Sequence, residues 1–528
     1  MIACVLVATG VMTACTRWGL ALSSDSARYV RTSRHILGVE PVVDIDIESK
    51  GEQAHYPPFY PITLAAAGFV LRQDPLHAAR WLHVAIFAGS TLLTGALVRR
   101  FGGRTWAAIF AAAVIALSPV TITTHAWLLS EALFILLALG MVWLLAMYLD
   151  ELRPHAAAPR RDEGVASTWA GWALLIAAGL VASLGMLTRY AGAALGPAAV
   201  LALLVLPRES PWRRRVLDAA VFSLVSLALP MVQFGRNLVA GGSVANRTIA
   251  LHPISLDHLK DGVAAVATWI APLGITGARD AANAQPVLAA AAVLLFATIF
   301  LSGCALAWRG RREAIGRLAG VLVLVIVCFV GLLVFSISFV DFHTPMDTRV
   351  LSPVFAGWIV LAGCVLSWWI GPLGRGHRMI AVAATAVIAA IMAWPSDSLV
   401  SRLWTEGDGF AHPQWRNSAT MAAVRDLPAE LQIFTNAPGA VYLLSGRQFI
   451  WTVPAEISAS SRLPNPQYAG LMARIDQEIR AGRGVMVWLH RYGRRRAYYP
   501  SAEQVRSRLG LRVRRRFNDG AIYDAPAK

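Results

Sequence analysis

The chain has 528 residues, 56% of them apolar and only 15% charged, with a mean hydropathy of +0.53. So little charge over such a length excludes an ordinary soluble enzyme and makes a lipid bilayer the main solvent. The net charge of +17 gives no reason to invoke nucleic acid, because most of it sits in short loops at one side of the expected membrane.

Hydrocarbon about 30 Å thick takes roughly 20 apolar residues per spanning helix, and about eleven such runs follow one another. In chain order they are Val5 to Leu20, His77 to Val98, Trp106 to Thr121, Leu128 to Leu149, Trp169 to Leu187, Ala191 to Leu206, Val216 to Phe234, Val287 to Trp308, Leu318 to Phe339, Val350 to Ile370 and Met379 to Trp394. The first run has no basic flank of a secretory signal and is expected to be retained. Cys4, Cys15, Cys304, Cys328 and Cys364 all fall in or beside these runs without CxxC spacing, and so read as small apolar residues.

Loops after the even-numbered runs are short and basic: Arg99, Arg100 and Arg104; Arg153, Arg160 and Arg161; Arg208 and Arg213 to Arg215; Arg309, Arg311, Arg312 and Arg317; Arg375 and Arg378. The positive-inside rule places them in the cytoplasm with the N-terminus. The long loops Ser23 to Leu76 and Asn237 to Pro286, and the tail from Pro395, are then extracytoplasmic. The expected organisation is a polytopic α-helical domain over residues 1–394, including the outer loop 23–76, and a small α/β domain over 395–528, in an inner-membrane protein.

Charged residues within a bilayer are expensive and usually functional. Here they gather at outer helix ends: Asp25, Glu131, Arg189, Arg236, Asp341, Asp347 and Arg349. In the first loop Asp25, Arg28, Tyr29 and Thr32 share one helical face. Asp25 suits either a helix start or a general base that takes a proton from a hydroxyl. His55 and Tyr56 precede Pro57 and Pro58, and the apolar stretch Ile62 to Leu71 that follows is too short to span, fitting a re-entrant or interfacial helix. His55 suits a metal ion, a sugar or phosphate oxygen, or plain solvent. Arg189, Arg236 and Arg349 are fitted to a phosphodiester, since a guanidinium forks onto two oxygens. A transporter would place its polar groups near the midplane on interrupted helices, so a flippase of a lipid-linked saccharide is the secondary reading. Walker, GxSxG, HExxH and GxGxxG motifs are absent from the sequence.

Asp25-Ser-Ala-Arg-Tyr29, Tyr56-Pro-Pro-Phe-Tyr-Pro61, Ser130-Glu131-Ala-Leu133, Leu187-Thr-Arg-Tyr-Ala-Gly192, Arg236-Asn237, Thr344-Pro345 through Arg349 and Pro353, and Thr435-Asn-Ala-Pro438 occur in order along the chain. Together they resemble the GT-C superfamily of polytopic glycosyltransferases, in particular bacterial relatives of protein O-mannosyltransferases and of the lipid A aminoarabinose transferase. The resemblance implies inverting transfer of a sugar from a polyprenyl-phosphate donor to an extracytoplasmic glycan, lipid or protein, with Asp25 assisting the acceptor. It implies substrate contacts from Arg28, Tyr29, His55, Tyr56, Glu131, Arg189, Tyr190, Arg236, Asn237, Asp347 and Arg349. Relatives carry a charged residue around the Pro-Pro pair where this chain has His55-Tyr56, which leaves a divalent metal open and no cofactor required.

In the tail, strands are expected at Gln432 to Thr435, Gln448 to Val453, Gly484 to Leu489 and Leu511 to Phe517, with helices at Tyr468 to Ala481 and Ala502 to Leu509. The arginines at 491, 494 to 496, 512 and 514 to 516 suit solvent, anionic headgroups or an acidic glycan.

Overall fold

The computed structural model describes residues 1–40, 56–152, 163–241, 249, 251–270, 278–457, 463–490 and 500–526. His55, the acidic run of Asp44, Asp46 and Glu48, Arg153, Arg160, Arg161, Arg491 and Arg494 to Arg496 lie outside the described residues.

Without water to bond their backbone, long apolar runs can only become helices. Eight described helices are long and apolar enough to cross a membrane: Pro75–Gly102, Glu131–Glu151, Trp169–Thr188, Trp212–Val239, Pro286–Arg309, Ala314–Phe339, Ser352–Ile370 and Arg375–Thr405. The pair Thr105–Leu117 and Pro119–Ala126, bent by 51°, makes a ninth if taken as one span. Its bend has a local cause. Ser118 precedes a proline and is extended, and the Thr121 hydroxyl donates to the Ile115 carbonyl at 2.5 Å across the break.

The first and sixth runs are helical but shorter than their apolar extent. Ile2–Cys15 has 14 residues, about 21 Å at 1.5 Å per residue. Beyond it the chain does not continue as helix to Leu20. Gly19 turns it at φ +88°, and Ala21 then exchanges backbone hydrogen bonds with Ala126 and Leu128 at 2.8 and 2.9 Å. The sixth run opens as a 3-10 turn, Tyr190–Ala194, before the helix Leu195–Val205. The non-spanning stretch is the helix Phe59–Leu71. It buries Tyr60, Leu64 and Gly68 and exposes Ile62, Ala66, Phe69 and Val70 on the other face.

The tail holds a five-stranded mixed sheet. Its strands are β1 (Gln432–Thr435), β2 (Ile450–Thr452), β3 (Gly484–Leu489), β4 (Arg512–Arg516) and β5 (Gly520–Asp524), in the order β2-β1-β3-β5-β4. β1 is parallel to β2 and β3, and β5 is antiparallel to β3 and β4. β5 and the helix Pro438–Ser445 are additions to the expected pattern. Every residue of β4 is exposed, so its arginines guard the free edge of the sheet against further pairing. The tail is not separated from the membrane part by a seam. One apolar cluster joins Leu22, Ala27, Tyr60 and Leu128 to Phe410, Trp415, Val441 and Ile522.

Candidate functional site

Ser23 opens the helix Ser24–Ile36 with a capping box completed by Ser26, which places Asp25 in the first turn where the helix dipole favours a carboxylate. The Ser26 hydroxyl also donates to the Leu128 carbonyl at 2.8 Å. This anchors the Asp25 helix to the segment just before Glu131.

Asp25 is half-buried. Its Oδ1 accepts the Tyr56 hydroxyl at 2.8 Å. Arg28 donates to the same phenol oxygen at 3.4 Å, with its guanidinium 5.6 Å from the ring centre. Burial, then the Asp25 charge, pushes the Tyr56 phenol well up, against the opposing pull of Arg28. It therefore serves as a proton donor to Asp25 throughout the neutral range.

Tyr29, one helical turn after Asp25, is buried between two other phenols. Its ring meets Tyr56 at 5.1 Å and Tyr60 at 4.9 Å, both edge-on. Its hydroxyl lies 3.2 Å from Ser130 Oγ. Burial first, then Tyr56, Asp25 and Glu131, raises its pKa well above the usual range, with Arg189 opposing. Tyr60 is in turn fixed from below. His83 Nδ1 stands 2.8 Å from the His125 carbonyl and can only donate to it, so Nε2 is the acceptor for the Tyr60 hydroxyl at 2.7 Å.

Glu131 begins the next spanning helix, and its side chain is 1% exposed. Both oxygens face arginines: Arg189 Nη1 lies 2.7 Å from Oε2, and Arg349 Nη1 lies 2.9 Å from Oε1. Arg189 also donates to Ser130 at 3.2 Å, so Ser130 links it to Tyr29. The turn that presents Arg189 needs Gly192, where a Cβ would stand 2.5 Å from the Gly185 backbone. Arg349 is held in its charged form first by Glu131, against burial, with support from Asp347, Asp25 and Tyr29. These interactions draw Asp25, Tyr29, Tyr56, Glu131, Arg189 and Arg349 into one electrostatic cluster.

Asp347 turns its Oδ1 to the Val350 N–H at 2.8 Å, capping the turn that carries Arg349. That loop is buttressed by the helix Leu256–Ile270, whose His258 Nε2 lies 2.8 Å from the Phe342 carbonyl. Tyr190 stacks obliquely near Phe234 at 6.2 Å, on the helix that carries Arg236 and Asn237. Asn237 is buried and accepts from Gln233 at 2.8 Å, whereas Arg236 is exposed. Tyr190 directly follows Arg189 in the chain, so its contact with Phe234 sets this helix end beside the cluster.

Glu131 faces inward with both oxygens on arginines, and half-buried Asp347 gives one oxygen to a backbone N–H, which suits both to positioning. Ser130, Tyr60 and His83 were not singled out from sequence. Ser130 was visible only as a neighbour of Glu131, and a lone histidine inside an apolar run carries no signal of its phenol partner. Among the described residues no group of three His, Cys, Asp or Glu could hold a metal. In the tail the Asn436 side chain donates to the Leu489 carbonyl and accepts its N–H, both at 2.9 Å, extending the β1–β3 pairing.

Residues 4–235 match the family model described as dolichyl-phosphate-mannose-protein mannosyltransferase. The matched stretch holds Asp25, Tyr56, Glu131 and Arg189 but stops short of Arg349. Among solved structures, ArnT from Cupriavidus metallidurans bound to undecaprenyl phosphate is 15% identical with a TM-score of 0.60, covering 100% of this chain and 99% of its own. Arabinofuranosyltransferase AftD from Mycobacteria is 16% identical, TM-score 0.57, over 100% of this chain and 40% of its own. Archaeal oligosaccharyltransferase AglB from Archaeoglobus fulgidus, in complex with an inhibitory peptide and a dolichol-phosphate, is 14% identical, TM-score 0.53, over 92% and 69%. No curated protein matches the sequence. At these identities the structures show the fold alone, which this chain shares with ArnT, AftD and AglB, and the family model matches less than half of the chain.

Proposed function

We propose that the protein moves a sugar from a polyprenyl-phosphate donor to a hydroxyl-bearing acceptor at the outer face of the membrane, with Asp25 as the general base. The observation that carries this reading is the pairing of a half-buried carboxylate, Asp25, with two arginines gathered on a second carboxylate in the same cluster. ArnT, bound to undecaprenyl phosphate, and AglB, with a dolichol-phosphate, share the fold and support a lipid phosphate as the leaving group.

In the proposed step the acceptor oxygen attacks the anomeric carbon from the face opposite the phosphate and inverts it. The acceptor proton passes to Asp25, the bond from the anomeric carbon to the phosphate oxygen breaks, and the lipid phosphate departs with one further negative charge. Arg189 and Arg349, already oriented by Glu131, stabilise that growing charge, the kind of preorganised electrostatic help that costs no rearrangement during the reaction. Arg28 and Tyr56 orient Asp25. Tyr190 supplies a ring face for the sugar, Tyr29 backs Tyr56 from the buried side, and Arg236 and Asn237 border the lipid phosphate. The membrane domain 1–394 carries the chemistry and the domain 395–528 stands outside, with the N-terminus in the cytoplasm. The alternation of basic loops with the cluster end of the bundle supports this orientation.

The test is transfer of radiolabelled sugar from a panel of polyprenyl-phosphate sugars to envelope extracts, with wild-type and Asp25→Asn protein in lipid. Product with wild type and a loss of at least about 100-fold with Asp25→Asn are expected for a lost general base. Equal transfer by folded Asp25→Asn would remove Asp25 from that role.

A further inference from the structure

The segment that delivers Asp25 is gripped from two sides. On the bundle side Ala21 is bonded to Ala126 and Leu128, and Ser26 donates to Leu128. On the other side the C-terminal domain makes backbone approaches that leave no room for a side chain. Phe410 N–H donates to the Leu22 carbonyl at 2.9 Å. The preceding Gly409 has φ +56°, and a Cβ there would stand 2.3 Å from the same oxygen. At Gly439, near the start of the helix Pro438–Ser445, a Cβ would lie 2.9 Å from Ser24 Cα and 3.2 Å from the Ala27 Cβ.

These contacts continue along the Asp25 helix. Arg31 donates to the Gln448 carbonyl at 3.2 Å, and Arg34 donates to the Tyr442 hydroxyl at 2.8 Å. The Tyr442 hydroxyl in turn donates to Glu40 Oε2 at 2.6 Å. Arg34 also forks onto Asp74 at 2.8 and 3.1 Å, tying the far end of the helix to the membrane part. A 13-residue helix is too short to hold its place by its own hydrogen bonds, so its neighbours decide where it sits.

We propose that the C-terminal domain is a positioning element for catalysis: Gly439 and Gly409 allow it to close on Leu22 and Ser24 and so set the Asp25 carboxylate against the acceptor. The proposal rests on the reading of Asp25 as the base. It accounts for the shared apolar cluster, and for glycine at two sites where backbone meets backbone and no flexible side chain can yield. Arg189, Glu131 and Arg349 lie on other elements and are held by their own ion pairs, so a disturbance at this contact reaches the base directly and the arginines only through the Tyr29–Ser130 contact.

The full chain in lipid is assayed as wild type, Gly439→Ala, Gly470→Ala and Asp25→Asn. Gly470 has open space around it and controls for the glycine replacement itself. For Gly439→Ala, turnover is expected to fall about 10- to 100-fold, as for a reacting group displaced by up to an ångström. Its donor KM should stay within about twofold, because both arginines keep their ion pairs to Glu131. Gly470→Ala should match wild type. Wild-type turnover by Gly439→Ala, or a loss matched by its unfolded fraction, overturns the proposal. If Gly439→Ala does not fold, Tyr442→Phe serves: removing the hydroxyl between Arg34 and Glu40 should lower turnover about two- to fivefold at constant KM, and unchanged turnover overturns the proposal. Asp25→Asn separates the two readings, since full turnover by that variant defeats the base assignment whatever Gly439→Ala does.

Discussion

Tyr56→Phe removes one hydroxyl and keeps the ring that packs against Tyr29 at 5.1 Å. The phenol donates to Asp25 Oδ1 at 2.8 Å, and hydrogen bonds to charged groups contribute about 1.5–3 kcal/mol. One pH unit corresponds to about 1.4 kcal/mol, so that range translates to about one to two units. Asp25 is only half-buried and water can replace part of the lost bond, which favours the lower end. The sign follows from which form loses support. The hydroxyl stabilises the ionised carboxylate, so its removal makes protonation easier and the active base disappears at a higher pH. The acidic limb of the kcat profile should therefore move up by about one unit, with the plateau lowered only modestly. The assay is initial-rate transfer from a polyprenyl-phosphate sugar between pH 4.5 and 8.5 in proteoliposomes. A limb that stays in place, with folded protein and measurable turnover, would refute the coupling of Tyr56 to the base.

Glu131→Gln keeps the shape but presents an amide donor to one of two arginines. It should cut turnover by about 10- to 100-fold through misplacement of Arg189 or Arg349, as read by steady-state kinetics. Tyr60→Phe strands His83 Nε2 in a fully buried position and should destabilise the protein by about 1–3 kcal/mol. Thermal denaturation in detergent measures this, and a double variant with His83→Phe should lose less than the two single losses together. Gly192→Ala meets the Gly185 backbone at 2.5 Å, an overpacking expected to cost about 1–3 kcal/mol, and should lower both the thermal midpoint and transfer by moving Arg189.

Much of the architecture was legible because its causes are local. An apolar run about 20 residues long has no alternative to helix in hydrocarbon, so each of the eleven runs holds helix, in the expected order, though the first is cut short and the third is broken at Ser118. Short strands in the tail were visible at Gln432, Gly484 and Leu511 from apolar clusters between turn residues. β5 was not, since Gly520 to Asp524 holds only three apolar residues and becomes a strand by pairing with β3 and β4. Helix ends were least legible. Leu20 belongs to an apolar run, yet the chain leaves helix after Cys15 because Gly19 and the bridge to Ala126 draw it towards the site.

The sequence by itself determined the membrane solvent, the helices, and the residue types that meet at one end of the bundle, since hydropathy and charge act on the chain residue by residue. Only the tertiary structure decided which of those residues are partners. Glu131 joins Arg189 and Arg349 across 58 and 218 residues of chain, and Gly439 reaches Ser24 across more than four hundred. Ion pairing, close backbone packing and burial depend on distance in space, and nothing in the local pattern of the chain encodes that distance.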